Sequence, residues 1–380
     1  MKKTLIIMLL CSICISVQAQ QRQQDRKNPS MLTYPVISTR TEIVLPQVNG
    51  YNVIKADLHV HTIYSDGNLT SSARVTEAWQ NGLDAIAITD HIEVRPNVGA
   101  FETYLADNIK VKDDDRYKTD MNYSVNGARG TANSLGITLI PGIEITRSPM
   151  EVGHFNALFT TDNNLIHNED ALQSIRNAKK QNAIIQINHP GWARPDNEFT
   201  STAEAALAEG LISGVEVFNS YEFYPEIIEK ATNLGLYVSC GSDLHITSQE
   251  RYGNYGMFRD MTLILAKDNS LEAIREALEN QRTLAYAYGD IAGSEELLKA
   301  FFKAAVSCKV VSADSKGNKR VQVTNNSSFP YVITFPGFST DITLKGFTSI
   351  IFTTKDSEIP VTVTNMWYGD GKHPSTALEL

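Results

Sequence analysis

The chain has 380 residues, a formal charge of −9 and 42% hydrophobic residues. Its length exceeds one average domain and predicts two cores. The acidic balance excludes a general binder of nucleic acid, whose affinity rests on Lys and Arg neutralising phosphates; an anionic substrate must be drawn in locally, by metal ions or a few basic side chains.

Residues 1–19 read as an export signal. Lys2-Lys3 is a basic start, Thr4 to Val17 is apolar, and Val17-Gln18-Ala19 offers a cleavage site before Gln20. The run falls short of the ~18 apolar residues needed to cross a bilayer. The mature chain is therefore expected to lack a transmembrane segment and to be periplasmic or secreted. Cleavage leaves Cys240 and Cys308, far apart and in different predicted domains, so no disulfide framework is expected. Cys240 reads as a small buried strand residue. Residues 20–50 form a linker, Gln-rich to Ser30, and a lead-in.

From Tyr51 short apolar runs alternate with helix-like stretches. Strands are expected at Val53–Leu58, Ala85–Thr89, Ile137–Ile140, Phe155–Phe159, Ala183–Ile187, Gly214–Phe218, Leu236–Cys240, Met261–Ala266 and Thr283–Tyr286. Helices are expected at Ser71–Asn81, Asp114–Leu135, Asp170–Lys180, Thr202–Ala208, Glu226–Leu234 and Leu271–Leu278. This alternation argues for parallel strands in a barrel-like α/β domain over 51–300, whose working residues sit at strand ends. After Ala304 the runs shorten: Val306–Val311, Arg320–Thr324, Tyr331–Phe335, Asp341–Leu344, Ser349–Phe352 and Pro360–Thr364 predict a small β-sandwich over 304–380, structural or accessory in role. His373 is expected to be a solvated tail residue.

The chemistry lies at the ends of the barrel runs. Asp57-Leu58-His59-Val60-His61 puts two imidazoles on one face of a strand end. His-x-His alone is a weak signal, but Ser65-Asp66-Gly67, Thr89-Asp90-His91, Pro141-Gly142-Ile143-Glu144, Gly153-His154, Asn188-His189-Pro190 and Gly241-Ser242-Asp243-Leu244-His245 follow. Taken singly, each has a structural reading as turn, helix cap, ion-pair partner or satisfied core histidine. Taken together they set six imidazoles and three carboxylates at run termini, a donor mixture suited to Zn, Mn or Fe. Asp57 is expected to support this site without ligating. Arg147 and Arg194 are candidate phosphate clamps, and Trp192 and Tyr221 candidate stacking surfaces.

These motifs, in this order over Tyr51 to Asp290, resemble the PHP (polymerase and histidinol phosphatase) family. The C-terminal region resembles an immunoglobulin-like module only in its strand number. The family resemblance implies a distorted (β/α)7 TIM-like barrel with a trinuclear metal centre. It implies that His59, His61, Glu144 and Asp243 hold one divalent ion, that Glu144, His154 and His189 hold a second, and that Asp66, His91 and His245 hold a third. The expected activity is hydrolysis of a phosphate ester, a small phosphorylated metabolite or nucleotide, by a hydroxide bridging two ions. Asp243 or His245 would pass a proton to the leaving group. A phosphodiesterase of the same fold is one alternative, and a non-catalytic metal- or phosphate-binding surface protein another. Export argues against histidine biosynthesis and against a polymerase-associated exonuclease.

Overall fold

A computed structural model describes residues 39–93, 120–146, 152–253, 256–335 and 340–380. The export signal, the Gln-rich linker and Arg147 lie outside the described residues. The first part of the chain forms β1 (Asn52–Asp57), α1 (Ser71–Gln80), β2 (Ala85–Ile88), α2 (Tyr123–Leu135), β3 (Thr138–Thr146), β4 (His154–Leu158), α3 (Ala171–Lys180) and β5 (Ile184–Ile187). Then come α4 (Ser201–Ala208), β6 (Ile212–Asn219), β7 (Glu222–Phe223), α5 (Pro225–Asn233), β8 (Tyr237–Gly241), α6 (Ser248–Tyr252), β9 (Met261–Ala266), α7 (Leu271–Glu279), β10 (Thr283–Ala287), β11 (Asp290–Ala292) and α8 (Glu295–Ala305).

The strands are near-continuous apolar runs because both their faces are covered. β2 is Ala-Ile-Ala-Ile and β5 Ile-Ile-Gln-Ile, with every residue buried. Helices begin where a short polar side chain satisfies a free backbone N–H. Thr70, Asp170, Thr200, Ser270 and Ser294 do this for α1, α3, α4, α7 and α8. The helix expected from Asp114 begins at Tyr123: residues 114–119 lie outside the described residues, and Asp120 caps a turn by accepting from Tyr123 N.

β1, β2 and β3 pair in parallel, as do β5, β6 and β8. β4 and β9, however, run against their neighbours. The expected distorted, TIM-like barrel is thus present as a curled, mixed sheet with helices, in which β4 and β9 depart from the parallel strands that the alternation predicts. For β4 the cause is chain length, since residues 147–153 are too few for the crossover of about a dozen residues that parallel neighbours need. β8 meets β9 and β10 through side chains. Thr262 Oγ1 accepts from Cys240 N and donates to Cys240 O, both at 3.0 Å, and Thr283 Oγ1 donates to Val238 O at 2.6 Å. Beyond the strand ends, Asp243 N donates to His59 O and His61 N to Leu244 O, joining the continuations of β8 and β1. α7 follows the far end of β9, and its Ile274, Ala277 and Leu278 pack with Ile54, Ile184 and Tyr237 beneath the site.

The C-terminal part forms β12 (Val306–Ala313), β13 (Lys319–Asn325), β14 (Tyr331–Thr334), β15 (Ile342–Leu344), β16 (Ser349–Thr354), β17 (Glu358–Val363), β18 (Met366–Trp367) and β19 (Ser375–Glu379). Two small sheets result, ordered β12-β13-β16 and β15-β14-β17-β19, while β18 joins the barrel sheet beside β11. One apolar cluster runs through both parts: Val321, Ile333, Leu344 and Val361 of the small sheets are continuous with Leu263, Tyr286, Phe301 and Phe302 of the barrel. The Phe329 ring stacks on Tyr286 at 4.1 Å, and Tyr331 meets Phe302 edge-on at 5.2 Å. His373 is not a solvated tail residue. It is half-buried, its ring 4.3 Å from Trp367 and its Nδ1 2.9 Å from Met366 O, because β19 pairs with β17 and ties the chain end down. Cys240 and Cys308 are free thiols. Among the described residues no helix is long and apolar enough to cross a membrane.

Candidate metal centre

β1, β2, β3, β5 and β8 end on one rim, and β4, running the other way, begins there. This is why all seven motifs converge although His154 precedes its strand. His59 and His61 follow β1, His91 follows β2, Glu144 lies within β3, His154 opens β4, His189 follows β5, and Asp243 and His245 follow β8. Asp66 stands in the turn after His61, where Gly67 is required: a Cβ on it would lie 2.6 Å from His61 O. His189 and Asp243 have left-handed φ values of 23° and 49°. Such strain costs about 1–3 kcal/mol and turns both side chains inward.

The nine side chains form overlapping groups. His59, His61 and Glu144 make one; His59, His189 and Asp243 a second; Glu144, His154 and His189 a third; His61, Asp66, His91 and His245 a fourth. Within each, the candidate ligand atoms lie within 4.8 Å of one another. Glu144 is the hub, its Oε1 3.3 Å from His59 Nε2, 3.4 Å from His154 Nδ1 and 3.6 Å from His189 Nε2. Asp243 Oδ1 lies 2.9 Å from His61 Nε2 and 3.4 Å from His59 Nε2. Asp66 Oδ1 is 3.2 Å from His245 Nε2, and its Oδ2 is 3.6 Å from His91 Nε2. The side chains of Asp66 and His245 are 33% and 35% exposed, whereas His59, His61 and Glu144 are sealed. His61 bridges the buried and exposed sides, its ring 4.1 Å from that of His245 and 4.3 Å from that of His91.

The residues fit divalent cations. His59 Nε2, His61 Nε2, both ring nitrogens of His154 and Asp243 Oδ1 are buried without a hydrogen-bond partner among the described residues. Leaving such atoms unpaired costs about 1–3 kcal/mol each, and His59 Nε2, His61 Nε2, His154 Nδ1 and Asp243 Oδ1 each face another candidate ligand. Glu216, in the middle of β6, explains the aim of His59. Its Oε1 lies 2.9 Å from His59 Nδ1, fixing the ring so that Nε2 faces the cluster. Glu216 Oε2 accepts from His189 N at 2.9 Å and from Asn219 Nδ2 at 2.8 Å. A Cβ at residue 241 would overlap Glu216 Oε1, which is why β8 ends in glycine. Asn188 Nδ2 donates to Glu144 Oε1 at 2.8 Å, and Thr146 Oγ1 to Glu144 Oε2 at 3.0 Å. Asp57 takes a supporting place: it accepts from Ser242 Oγ at 2.5 Å and from Arg259 Nη2 at 2.6 Å.

The cluster's electrostatics follow from burying charges of both signs together. Burial disfavours a charged His59, but Asp243, Glu216 and Glu144 overcome it and hold its pKa well above the ordinary imidazole value. Burial lowers His61 to about 4, helped by the positive charges of His91 and His245. His91 goes up to about 10 despite burial, drawn by Glu144 and Asp66. Burial alone would raise Glu144 and Asp243; His91, His59 and His154 pull the first, and His59 and His61 the second, well below the carboxylate range. Without metal, protons on imidazoles balance ionised carboxylates. A divalent ion would replace those protons, as ligation requires neutral imidazole.

Sequence reasoning missed Glu216, an acid inside the apolar run Gly214 to Phe218 whose burial no local pattern marks. Of the candidate substrate contacts, Arg194 lines a small recess with His154, His189 and Trp192, and its Nη2 donates to Asp196 Oδ1 at 3.2 Å. Trp192, 43% exposed, sets its ring 5.3 Å from His189 and 5.5 Å from His154. Tyr221 stacks on Tyr288 at 5.8 Å with Arg251 over its ring at 4.4 Å.

Comparison with known proteins bears on this geometry. The family model for the PHP domain matches residues 57–318. The crystal structure of a two-domain protein from Bacteroides vulgatus, containing a predicted PHP-like metal-dependent phosphoesterase, superposes with a TM-score of 0.81 at 33% identity, over 90% of this chain and 100% of that one. An amidohydrolase from Chromobacterium violaceum, with bound sulfate and no metal, gives a TM-score of 0.37 at 16% identity, over 61% of this chain and 98% of that one. A lesion-specific endonuclease from Pyrococcus furiosus gives 0.39 at 17% identity, over 64% of this chain and 59% of that one. No curated protein matches the chain.

Proposed function

The chain belongs to the PHP-domain family and is a metal-dependent phosphoester hydrolase, and we propose that it cleaves the phosphate ester of a small metabolite or nucleotide at the nine-residue rim. The observation that carries this reading is the sharing of His59, His61, Glu144 and His189 between groups. Shared side chains would hold neighbouring ions close enough to act on one phosphate. In this reading His59, His61, Glu144 and Asp243 hold one ion, Glu144, His154 and His189 a second, and Asp66, His91 and His245, with His61 beside them, a third. Zn, Mn or Fe suits this donor set. When bound, such ions acidify water into the attacking hydroxide and neutralise phosphoryl oxygens.

The chain's own residues do the rest. Asp66 and His245 leave the exposed side open, so the ester enters there. We assign the proton for the departing oxygen to Asp243 or His245, whose Oδ1 and Nδ1 lie 3.6 Å apart; of the two it is His245 whose pKa is raised, despite burial, by Asp66 and Asp243. Trp192 offers an apolar face to a base or aryl group, and Arg194 a cation for a phosphoryl oxygen. The basic and apolar residues before Gln20 support action outside the cytoplasm, in the periplasm or after secretion.

The test is a panel of phosphate monoesters and diesters assayed with added Mn, Zn or Fe, alongside Glu144→Gln. We expect monoester turnover by the wild type, and joint loss of metal and turnover in the variant. No turnover by fully metallated wild type would favour a binding role. Diester preference would favour the phosphodiesterase. Wild-type turnover by a metallated Glu144→Gln would remove Glu144 from its role.

A further inference from the structure

Arg74 stands on α1, outside the nine-residue set, and is completely buried. Its guanidinium is spent on main-chain oxygens. Nε donates to His61 O at 3.2 Å, Nη2 to Leu244 O at 3.0 Å and to His245 O at 3.4 Å, and Nη1 to Ile246 O at 2.9 Å. Glu77, one turn along α1, answers the charge with Oε2 2.7 Å from Nη1. The other oxygen of Glu77 accepts from Ser248 N at 2.5 Å. The Arg74–Glu77 pair therefore grips two loops at once, the one after β1 that leads to Asp66 and the one after β8 that carries His245.

The buried groups are held differently. Glu144 and His154 lie within strands, and Glu216 fixes the ring of His59. Asp66 and His245 stand on irregular backbone at the exposed edge, and their mutual placement depends on how the two loops are tied. Three main-chain bonds also join the loops, Asp243 N to His59 O at 2.9 Å, His61 N to Leu244 O at 3.2 Å and Asn68 N to His245 O at 2.7 Å. The guanidinium spans both loops because its donors form a rigid planar fork; an ammonium is a point charge and cannot reach this set of carbonyls together.

We infer that Arg74 is a positioning residue that sets the affinity of the exposed group, Asp66, His91 and His245 beside His61, for its ion, while leaving the buried groups loaded. This rests on the metal reading above. Arg74→Lys is made in the full chain, and both proteins are stripped and then titrated with Mn²⁺, with bound metal counted after gel filtration. We expect three equivalents on the wild type. We expect two on the variant, with the third bound about 10–100-fold more weakly, the usual effect of losing a supporting contact, and with circular dichroism unchanged.

Three equivalents at wild-type affinity on Arg74→Lys would overturn the inference. So would equal weakening of all three ions, which would mark Arg74 as a general support. A wild type that holds no Mn²⁺ would sink the metal reading itself, a separate failure. If Arg74→Lys does not fold, Glu77→Gln is titrated in its place: weakening confined to the third ion sustains the inference, and unchanged binding of all three refutes it.

Discussion

Glu216 shows how a residue outside the ligand set governs one inside it. Its carboxylate pins His59 Nδ1 and the backbone N–H of His189, so two candidate ligands owe their direction to one side chain. Replacing Glu216 with Gln keeps the shape but removes the charge that favours the Nδ1–H tautomer. Metal affinity should fall about 10–100-fold, measured by stepwise titration of the stripped protein; unchanged affinity would show that packing alone orients His59. The candidate ligands could be read from the sequence because His, Asp and Glu are conspicuous at the ends of apolar runs. Glu216 and Arg74 could not. A carboxylate within a strand run and a guanidinium on an amphipathic helix look the same in sequence whether they face solvent or the interior. Burial is a property of the packed chain, not of the local pattern.

At the level of elements, short apolar runs set between helix-like stretches gave most strands and helices within a residue or two. They gave no direction. Nothing in Phe155–Phe159 or Met261–Ala266 says that β4 and β9 run against their neighbours, since a two-residue period is the same read either way. α8 escaped notice although Glu295–Ala305 buries Leu298, Phe301 and Phe302 on one face, and β11 and β18 are too short to leave a pattern. The side-chain seam between β8 and β9 was equally hidden. Thr262→Val keeps the volume but strips the hydroxyl that serves both Cys240 N and Cys240 O. We expect a loss of about 1–3 kcal/mol, the cost of leaving buried backbone groups unpaired, seen as a lower urea midpoint with an unchanged slope. An unaltered midpoint would show that water or packing closes the seam.

For the whole molecule, the continuous apolar cluster matters most. Phe329 lies outside the barrel strands yet stacks on Tyr286 of β10, and β18 hydrogen-bonds to β11. Barrel and small sheets should therefore melt together. Phe329→Ala should cost about 3–5 kcal/mol and lower a single calorimetric transition; two separate transitions in the wild type would contradict a shared core. The same feature bears on how the chain comes into being. A ribosome that has finished β10 has made every residue of the metal centre, but not Phe329 and Tyr331, which cover Tyr286 and Phe302. The nascent barrel must wait, with apolar surface bare, until Phe329 and Tyr331 emerge. Its completion is thus set by residues that lie beyond its own strands in the chain, and not by the end of those strands.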